Sequence, residues 1–104
     1  MRKLYAGILL AIVCGSSNAL EAIVGHVTYL EPTYLPSLVQ FTLDSGSASC
    51  SAGTYLKWQK VDQSNNKAVY ATLMLASATG RTVRLYVNDG DTTCVGQYFH
   101  LLSN

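Results

Sequence analysis

The sequence has little charge, little proline and few cysteines. Its 104 residues include only 12% charged side chains, two prolines and three cysteines. No segment gathers lysines and arginines into a basic stripe that could follow a phosphate backbone, which argues against a nucleic-acid partner. The only long apolar run lies at the N-terminus, so no membrane span is predicted further along the chain.

The chain also lacks the motifs that carry catalysis. It has no Ser/His/Asp motif in a recognisable context and no glycine loop of the kind that cradles phosphate. Two distant cysteines, Cys50 and Cys94, together with His26 and His100 show none of the spacings typical of a metal site. The sequence therefore predicts a protein that is not an enzyme, with no catalytic residue, no metal and no cofactor.

The N-terminus has the pattern of a secretory signal peptide. Basic residues precede an apolar run over residues 4–15, and Ser17 and Ala19 supply the small side chains that signal peptidase requires. The run is too short for a membrane span, which needs about 20 residues. We therefore predict a signal peptide over residues 1–19 and a secreted or periplasmic protein.

Removal of the signal peptide leaves two cysteines in a mature chain of residues 20–104, which we predict to be a single domain. The alternatives are a retained anchor and a lipoprotein acylated at Cys14, and the β-branched Val13 disfavours the second. In an oxidising compartment, Cys50 and Cys94 have only each other as an intramolecular partner. This predicted disulfide closes a loop of about 45 residues and contributes on the order of 4 kcal/mol.

Hydrophobic periodicity predicts a domain that is mainly β with one helix (α+β). The pattern indicates five strands, with the helix between the third and the fourth. The strands are expected at residues 23–30, 38–43, 54–61, 82–87 and 95–102. The order β-β-β-α-β-β is that of an OB-fold-like five-stranded barrel, and a mixed α+β roll is the alternative.

The helix is expected to begin just after a polar N-cap and to end at a glycine. Ser64, Asn65 and Asn66 are the candidates for the N-cap, because their side chains can accept from free amides of the first turn. Gly80 suits the left-handed conformation that ends many helices.

The helix carries more apolar surface than one core contact needs. One stripe is expected to cover the core and consists of Val69, Leu73 and Ala76, flanked by Tyr70. A second, weakly apolar face suits packing against another subunit and contains Ala71, Met74, Leu75 and Ala78. This face predicts a homo-oligomer, and the alternative is that alanines are simply good helix formers.

The helix and the strand after it resemble a known family. The segment LMLASATGRTVRLYV, residues 73–87, is similar to the helix-to-strand segment of B subunits of the subtilase cytotoxin and pertussis-like (typhoid-type) toxin group. Trp58 is also similar, and the chain resembles a wider set of small exported bacterial proteins of unassigned role. The resemblance implies an OB-fold subunit that forms a ring, often a pentamer, with the helices lining its centre. It also implies binding of cell-surface glycans and delivery of an enzymatic A subunit.

The sugar-binding residues of that family do not carry over to this chain. The family's serine falls close to Val24, the second of its paired tyrosines is replaced by Val87, and its additional cysteine pair is absent. Candidates therefore come from side chains that suit sugars, which are bound by aromatic faces and planar polar groups. The candidates lie on the fourth strand, in the loop after it and on the fifth strand, and are Arg84, Tyr86, Asn88, Asp89, Tyr98 and His100.

Alternation along the strands predicts that most of these candidates share a solvent face. Arg84 and Tyr86 point outward from the fourth strand, while Tyr98 and His100 share the outward face of the fifth strand with Gly96. The ordinary alternative is that these are surface residues of strands and turns without a ligand.

Two functions from different classes fit these patterns. The first is a secreted, oligomeric glycan-binding protein of the toxin B-subunit type. The second is a secreted, disulfide-stapled domain that binds a protein partner, such as an inhibitor, an adhesin accessory or an envelope factor.

Overall fold

The structure, a computed structural model, describes residues 19–103. Within this range the chain is mainly β with one helix, as the periodicity predicts. In chain order the elements are β1 (Leu20–Gly25), β2 (Val27–Glu31), β3 (Val39–Leu43), β4 (Leu56–Trp58), α1 (Gln63–Thr79), β5 (Val83–Asn88) and β6 (Gly96–Leu101). Residues 1–18 of the predicted signal peptide lie outside the described residues.

The strands form two small antiparallel sheets. One has the order β1-β5-β6 and the other the order β2-β3-β4. A single parallel bridge between Lys57 and Val95 joins β4 to the start of β6, and the Lys57 amide donates to the Cys94 carbonyl at 3.0 Å. Within residues 19–103 the strands therefore form two three-stranded sheets and not one closed barrel.

The first predicted strand is wrong as a single element, because the chain turns at His26 from one sheet into the other. The His26 amide donates to Asp44 Oδ1 at 2.7 Å, and the Asp44 amide donates to the His26 carbonyl at 3.1 Å. The ring adds a contact of 3.0 Å between His26 Nδ1 and Asp44 Oδ2. Gly25 permits this turn, since a Cβ there would lie 2.5 Å from Asp44 Oδ1. Residues 19–103 therefore contain six strands instead of the five that the sequence predicts.

The core lies between the two sheets and is closed at one end by the helix. Its fully buried side chains come from both sheets and from the helix, and the largest are Ile23, Val39, Phe41, Leu43, Leu56, Leu73, Val83, Leu85 and Val87. The helical stripe of Val69, Leu73 and Ala76 is buried as predicted, with Tyr70 packed against it. Thus the 3.6-residue period identified the core face of the helix correctly.

The helix begins earlier than predicted, because Asp62 is its N-cap. Asp62 Oδ1 accepts from the Ser64 amide at 3.0 Å and from the Asn65 amide at 3.4 Å. Its hydrogen bonds to Ser64 and Asn65 lower the pKa of the Asp62 carboxyl. At the other end Gly80 has φ 71° and is the left-handed cap that the sequence predicts.

Asn66, a predicted N-cap candidate, is instead fully buried and joins three segments. Its Nδ2 donates to the carbonyls of Pro36 at 2.8 Å and Lys60 at 2.9 Å, with the Ser37 carbonyl at 3.3 Å. Its Oδ1 accepts from the Lys60 amide at 2.8 Å. Because both backbone groups of Lys60 bind this amide, the chain leaves the sheet after Trp58, and the third predicted strand is shorter than expected.

The predicted disulfide between Cys50 and Cys94 is present. Their Cα atoms are 5.9 Å apart, and both side chains are buried. The bond connects the small-residue loop before β4 to the loop before β6. It therefore joins these loops next to the place where the Lys57–Val95 bridge joins β4 to the start of β6.

Candidate functional site

Four of the predicted glycan-binding residues lie together on the solvent face of β5 and β6. Strand alternation turns Arg84 and Tyr86 outward, and the antiparallel register places Arg84 opposite His100 and Tyr86 opposite Tyr98. Directly opposite side chains in such a pair have Cβ atoms about 5 Å apart. We call these four residues the arginine–tyrosine cluster.

The side chains of the arginine–tyrosine cluster are in mutual contact. Arg84 Nε donates to His100 Nδ1 at 3.2 Å, and the guanidinium carbon lies 5.6 Å from the centre of the Tyr86 ring. The Tyr86 ring meets the rings of His100 and Tyr98 edge to face, at centroid distances of 5.7 Å and 6.4 Å. Because a guanidinium can only donate, His100 Nδ1 accepts and its ring proton lies on Nε2. The cluster therefore presents three ring surfaces and several donors to solvent.

The two other candidates differ in where they lie. Asn88 is exposed at the end of β5, on the same face as Tyr86. Asp89 lies beside Glu21, and a hydrogen bond to the Glu21 carboxylate raises the pKa of Asp89. The structure thus brings Asn88 to the edge of the arginine–tyrosine cluster and directs Asp89 away from it.

Glu21 is a central polar residue that the sequence did not reveal. Its carboxylate accepts from the Ser47 hydroxyl at 2.6 Å and from the hydroxyl and amide of Ser49 at 2.7 Å and 3.0 Å. The Gly90 amide also donates to Glu21, at 3.2 Å. These hydrogen bonds hold the pKa of Glu21 far below its ordinary value, and the bond from the Ser47 hydroxyl has the largest effect. Its partners are 26 to 69 positions away, so no local pattern could have indicated them.

The neighbouring strand β1 supplies an apolar border to the cluster. In the register of β1 and β5, Val24 lies opposite Arg84 and Ala22 lies opposite Tyr86. Val24 is exposed, and it is the position near which the serine of the resembling toxin family falls. The border therefore offers contact area but no side-chain hydrogen bond.

A cleft adjoins the cluster on the other side of β6. This cleft is open to solvent and has a volume of about 420 Å³, between β6, the end of β4 and the start of the helix, with Tyr98 and His100 among its lining residues. Its inner wall contains Trp58, whose Nε1 donates to Asn65 Oδ1 at 2.9 Å, and Lys60, whose Nζ lies 4.7 Å from the centre of the Trp58 ring. A ligand larger than one sugar ring could therefore extend from the cluster into this cleft.

The prediction that Gly96 shares the outward face of Tyr98 and His100 is wrong. The pairing shifts by one residue between Tyr86 and Val87, so that Gly96 lies opposite Val87 and is buried. A Cβ on Gly96 would lie 2.6 Å from Leu85 Cδ1 and 2.8 Å from the Trp58 ring. The glycine is therefore needed where the β-bulge brings the backbone against the core.

The four predicted interface residues of the helix are exposed and line one groove. Ala71, Met74, Leu75 and Ala78 border an open groove of about 490 Å³, together with Ser77 and with Leu30 from β2. Met74 and Leu75 each expose 48% of their surface. The sequence identified the helical side of this groove but not the contribution of β2.

Within residues 19–103, no three histidine, cysteine, aspartate or glutamate side chains lie together in an arrangement that could hold a metal ion. Over this part of the chain, no helix combines the length and the apolar character needed to cross a membrane.

No family model, curated protein or solved structure matches this chain. An assignment of function therefore rests on the chain's own side chains, above all on the arginine–tyrosine cluster and the helix groove.

Proposed function

We propose that this chain is a secreted, homo-oligomeric glycan-binding protein of the toxin B-subunit type. The observation that carries the proposal is the arginine–tyrosine cluster, in which Arg84 and His100 donors stand beside the Tyr86 and Tyr98 rings. The apolar C–H face of a sugar can pack on such rings while its hydroxyls bind the polar groups. The guanidinium is the only full charge in the cluster and favours sugars that carry a carboxylate.

We further propose an OB-like arrangement of the two sheets. Three features support it: the chain passes directly from β1 to β2 at His26, the helix lies between β4 and β5, and the Lys57–Val95 bridge brings the third and fifth predicted strands together. In this arrangement β1 and β2, one in each sheet with the turn at His26 between them, together take the place of the first strand of the barrel.

The groove on the helix supports the oligomeric part of the proposal. Its lining is apolar and nearly uncharged, which suits close packing against a second copy. Weak single glycan sites gain strength when several copies engage one surface. A ring, with five copies as the resemblance implies, would then present the arginine–tyrosine clusters together and could carry an enzymatic A subunit.

The same groove keeps a second candidate function open. An apolar depression between Leu30 and Met74 could equally receive a different protein, which would make the chain a stapled partner-binding domain. The oligomeric state separates the two, since a self-assembling chain fills the groove without any other protein.

Replacing Arg84 with alanine is expected to weaken glycan binding by about tenfold or more, because a charge-assisted hydrogen bond is lost. The exported protein is screened on an array of acidic and neutral glycans, and hits are measured by isothermal titration calorimetry. Lys67→Ala is the matched control, because it removes an exposed cation from the helix instead of the cluster. Absence of any glycan signal for the wild type, or equal losses for both variants, would contradict the proposal.

Replacing Ala71 with glutamate is expected to give soluble monomers, because the new charge would be buried in the proposed subunit contact. Native mass spectrometry measures the change directly. Thr72→Glu is the control, since it places the same charge about 100° around the same helix. An unchanged oligomer for Ala71→Glu would place the interface on another face, and a monomeric wild type would favour the partner-binding alternative.

A further inference from the structure

A second group of exposed aromatic side chains lies at the other sheet, β2-β3-β4: Tyr29 is on β2, Tyr34 is in the turn after it, and Tyr55 directly precedes β4. Tyr29, Tyr34 and Tyr55 expose 41%, 51% and 53% of their surface. The rings of Tyr29 and Tyr55 are 5.6 Å apart, with their planes inclined at 51°. Single exposed aromatic groups are common, but adjacent ones that form a contiguous patch mark a candidate binding surface.

The floor beneath these two rings is ordered. Thr42 lies on the middle strand opposite Tyr29, and Tyr55 is one residue beyond Leu56, the partner of Phe41 in the adjoining pair. Thr42 is buried although it is on the outward face. Its hydroxyl is hydrogen-bonded to that of Thr28 at 2.7 Å. The Tyr29 and Tyr55 rings therefore stand over a packed surface and not over mobile chain.

Planar polar groups flank the rings and are held in place. Glu31 Oε1 accepts from the Tyr29 hydroxyl at 3.0 Å and from Gln40 Nε2 at 3.2 Å. Glu31, Gln40 and Lys57 form one row across the three strands, but Lys57 Nζ is turned away and donates to the Thr93 carbonyl at 3.1 Å. The polar row thus offers fixed acceptors and one negative charge.

We propose that Tyr29, Tyr55, Glu31 and Gln40 form a binding site for an uncharged sugar ring, which we call the tyrosine site. The inclined rings offer two faces to the C–H groups of a pyranose. Glu31 Oε2 and Gln40 Oε1 can accept from neighbouring sugar hydroxyls. A carboxylate-bearing sugar is disfavoured, because it would meet the Glu31 charge.

The tyrosine site lies on a different sheet from the arginine–tyrosine cluster and does not depend on it. The two surfaces have opposite charge, since one contains Arg84 and the other Glu31. One subunit could therefore engage an acidic and a neutral part of a glycan at separate places.

The test uses pairs of small sugars that differ only in charge. Methyl glycosides of glucose, galactose and mannose are compared with the methyl uronides of the same sugars. The tyrosine ring resonances of the protein are followed by NMR while the sugar is added to tens of millimolar, the concentration range that suits weak single sites. A neutral glycoside is expected to shift the signals of Tyr29 and Tyr55, and its uronide is expected to bind about tenfold more weakly.

Variants then separate this site from the others. Tyr55→Ala is expected to weaken neutral-sugar binding about tenfold, Tyr55→Phe to preserve it, and Glu31→Gln to reduce the discrimination against uronides. Val61→Ala is the control, because it trims a fully exposed apolar side chain that belongs to neither the tyrosine site nor the arginine–tyrosine cluster. Equal losses for Val61→Ala and Tyr55→Ala, or no loss with Tyr55→Ala, would overturn the tyrosine site while leaving the proposed function standing.

Two other outcomes would also overturn it. One is that no neutral glycoside shifts the Tyr29 and Tyr55 signals. The other is that these signals depend on protein concentration and Tyr55→Ala lowers the oligomeric mass, which would show that a second copy covers the tyrosines.

Discussion

Replacing Asn66 with aspartate is expected to lower the free energy of unfolding by about 3–5 kcal/mol, because it buries a charge that only the Lys60 amide is placed to offset. The amide now donates to the carbonyls of Pro36 and Lys60, and a carboxylate would face both oxygens with repulsion. Urea denaturation followed by the fluorescence of Trp58, the single tryptophan, measures the loss.

The neighbouring asparagine provides a matched control for this prediction. Asn65→Asp makes the same chemical change one residue earlier, where the side chain is exposed and its Oδ1 already acts as the acceptor for Trp58 Nε1. A negative charge in the first turn of a helix is favourable, so this variant is expected to be neutral or slightly stabilising. Equal losses of unfolding free energy for the two variants would mean that the buried hydrogen bonds of Asn66 are not the source of the effect.

Removing the disulfide is expected to cost about 4 kcal/mol, the chain entropy regained by a loop of about 45 residues in the unfolded state. The variant that tests this carries Cys50→Ser together with Cys94→Ser, which avoids a free thiol. A domain of this size has a total stability of only about 5–10 kcal/mol, so the variant is expected to be marginally folded. Its urea midpoint is compared with that of the oxidised wild type.

The Glu21 network contacts the same two loops and has to be separated from the disulfide. Glu21→Gln weakens the bonds from Ser47 and Ser49 while leaving Cys50 and Cys94 joined. We expect a smaller loss for this variant than for the cysteine double variant. The reverse order would show that Glu21, and not the covalent bond, holds the loops together.

Features with a local period were predictable from the sequence. The burial of Val69 and Leu73, the cap at Gly80 and the outward direction of Arg84 and Tyr86 all follow from spacing along one element. The disulfide was predictable for a different reason, since the predicted loss of Cys14 with a signal peptide leaves only one possible pair.

Features that depend on backbone geometry between elements were not predictable. Whether Asp62 or Ser64 is the N-cap depends on where the chain leaves the sheet after β4. The buried Asn66 side chain fixes that point through its hydrogen bond from the Lys60 amide. The burial of Gly96 depends on a β-bulge in the pairing of β5 with β6, and no residue pattern around Gly96 indicates that bulge.

By itself the sequence determined that this chain is mainly β with one helix, stapled by Cys50 and Cys94, with aromatic and basic side chains on the outer face of its last strands. Only the tertiary structure decided that the chain turns at His26 into a second sheet, that Arg84 meets His100, and that Tyr29 and Tyr55 stand side by side. The reason is physical: periodicity fixes which way a side chain points along its own strand, whereas register and turns between strands fix which side chains meet.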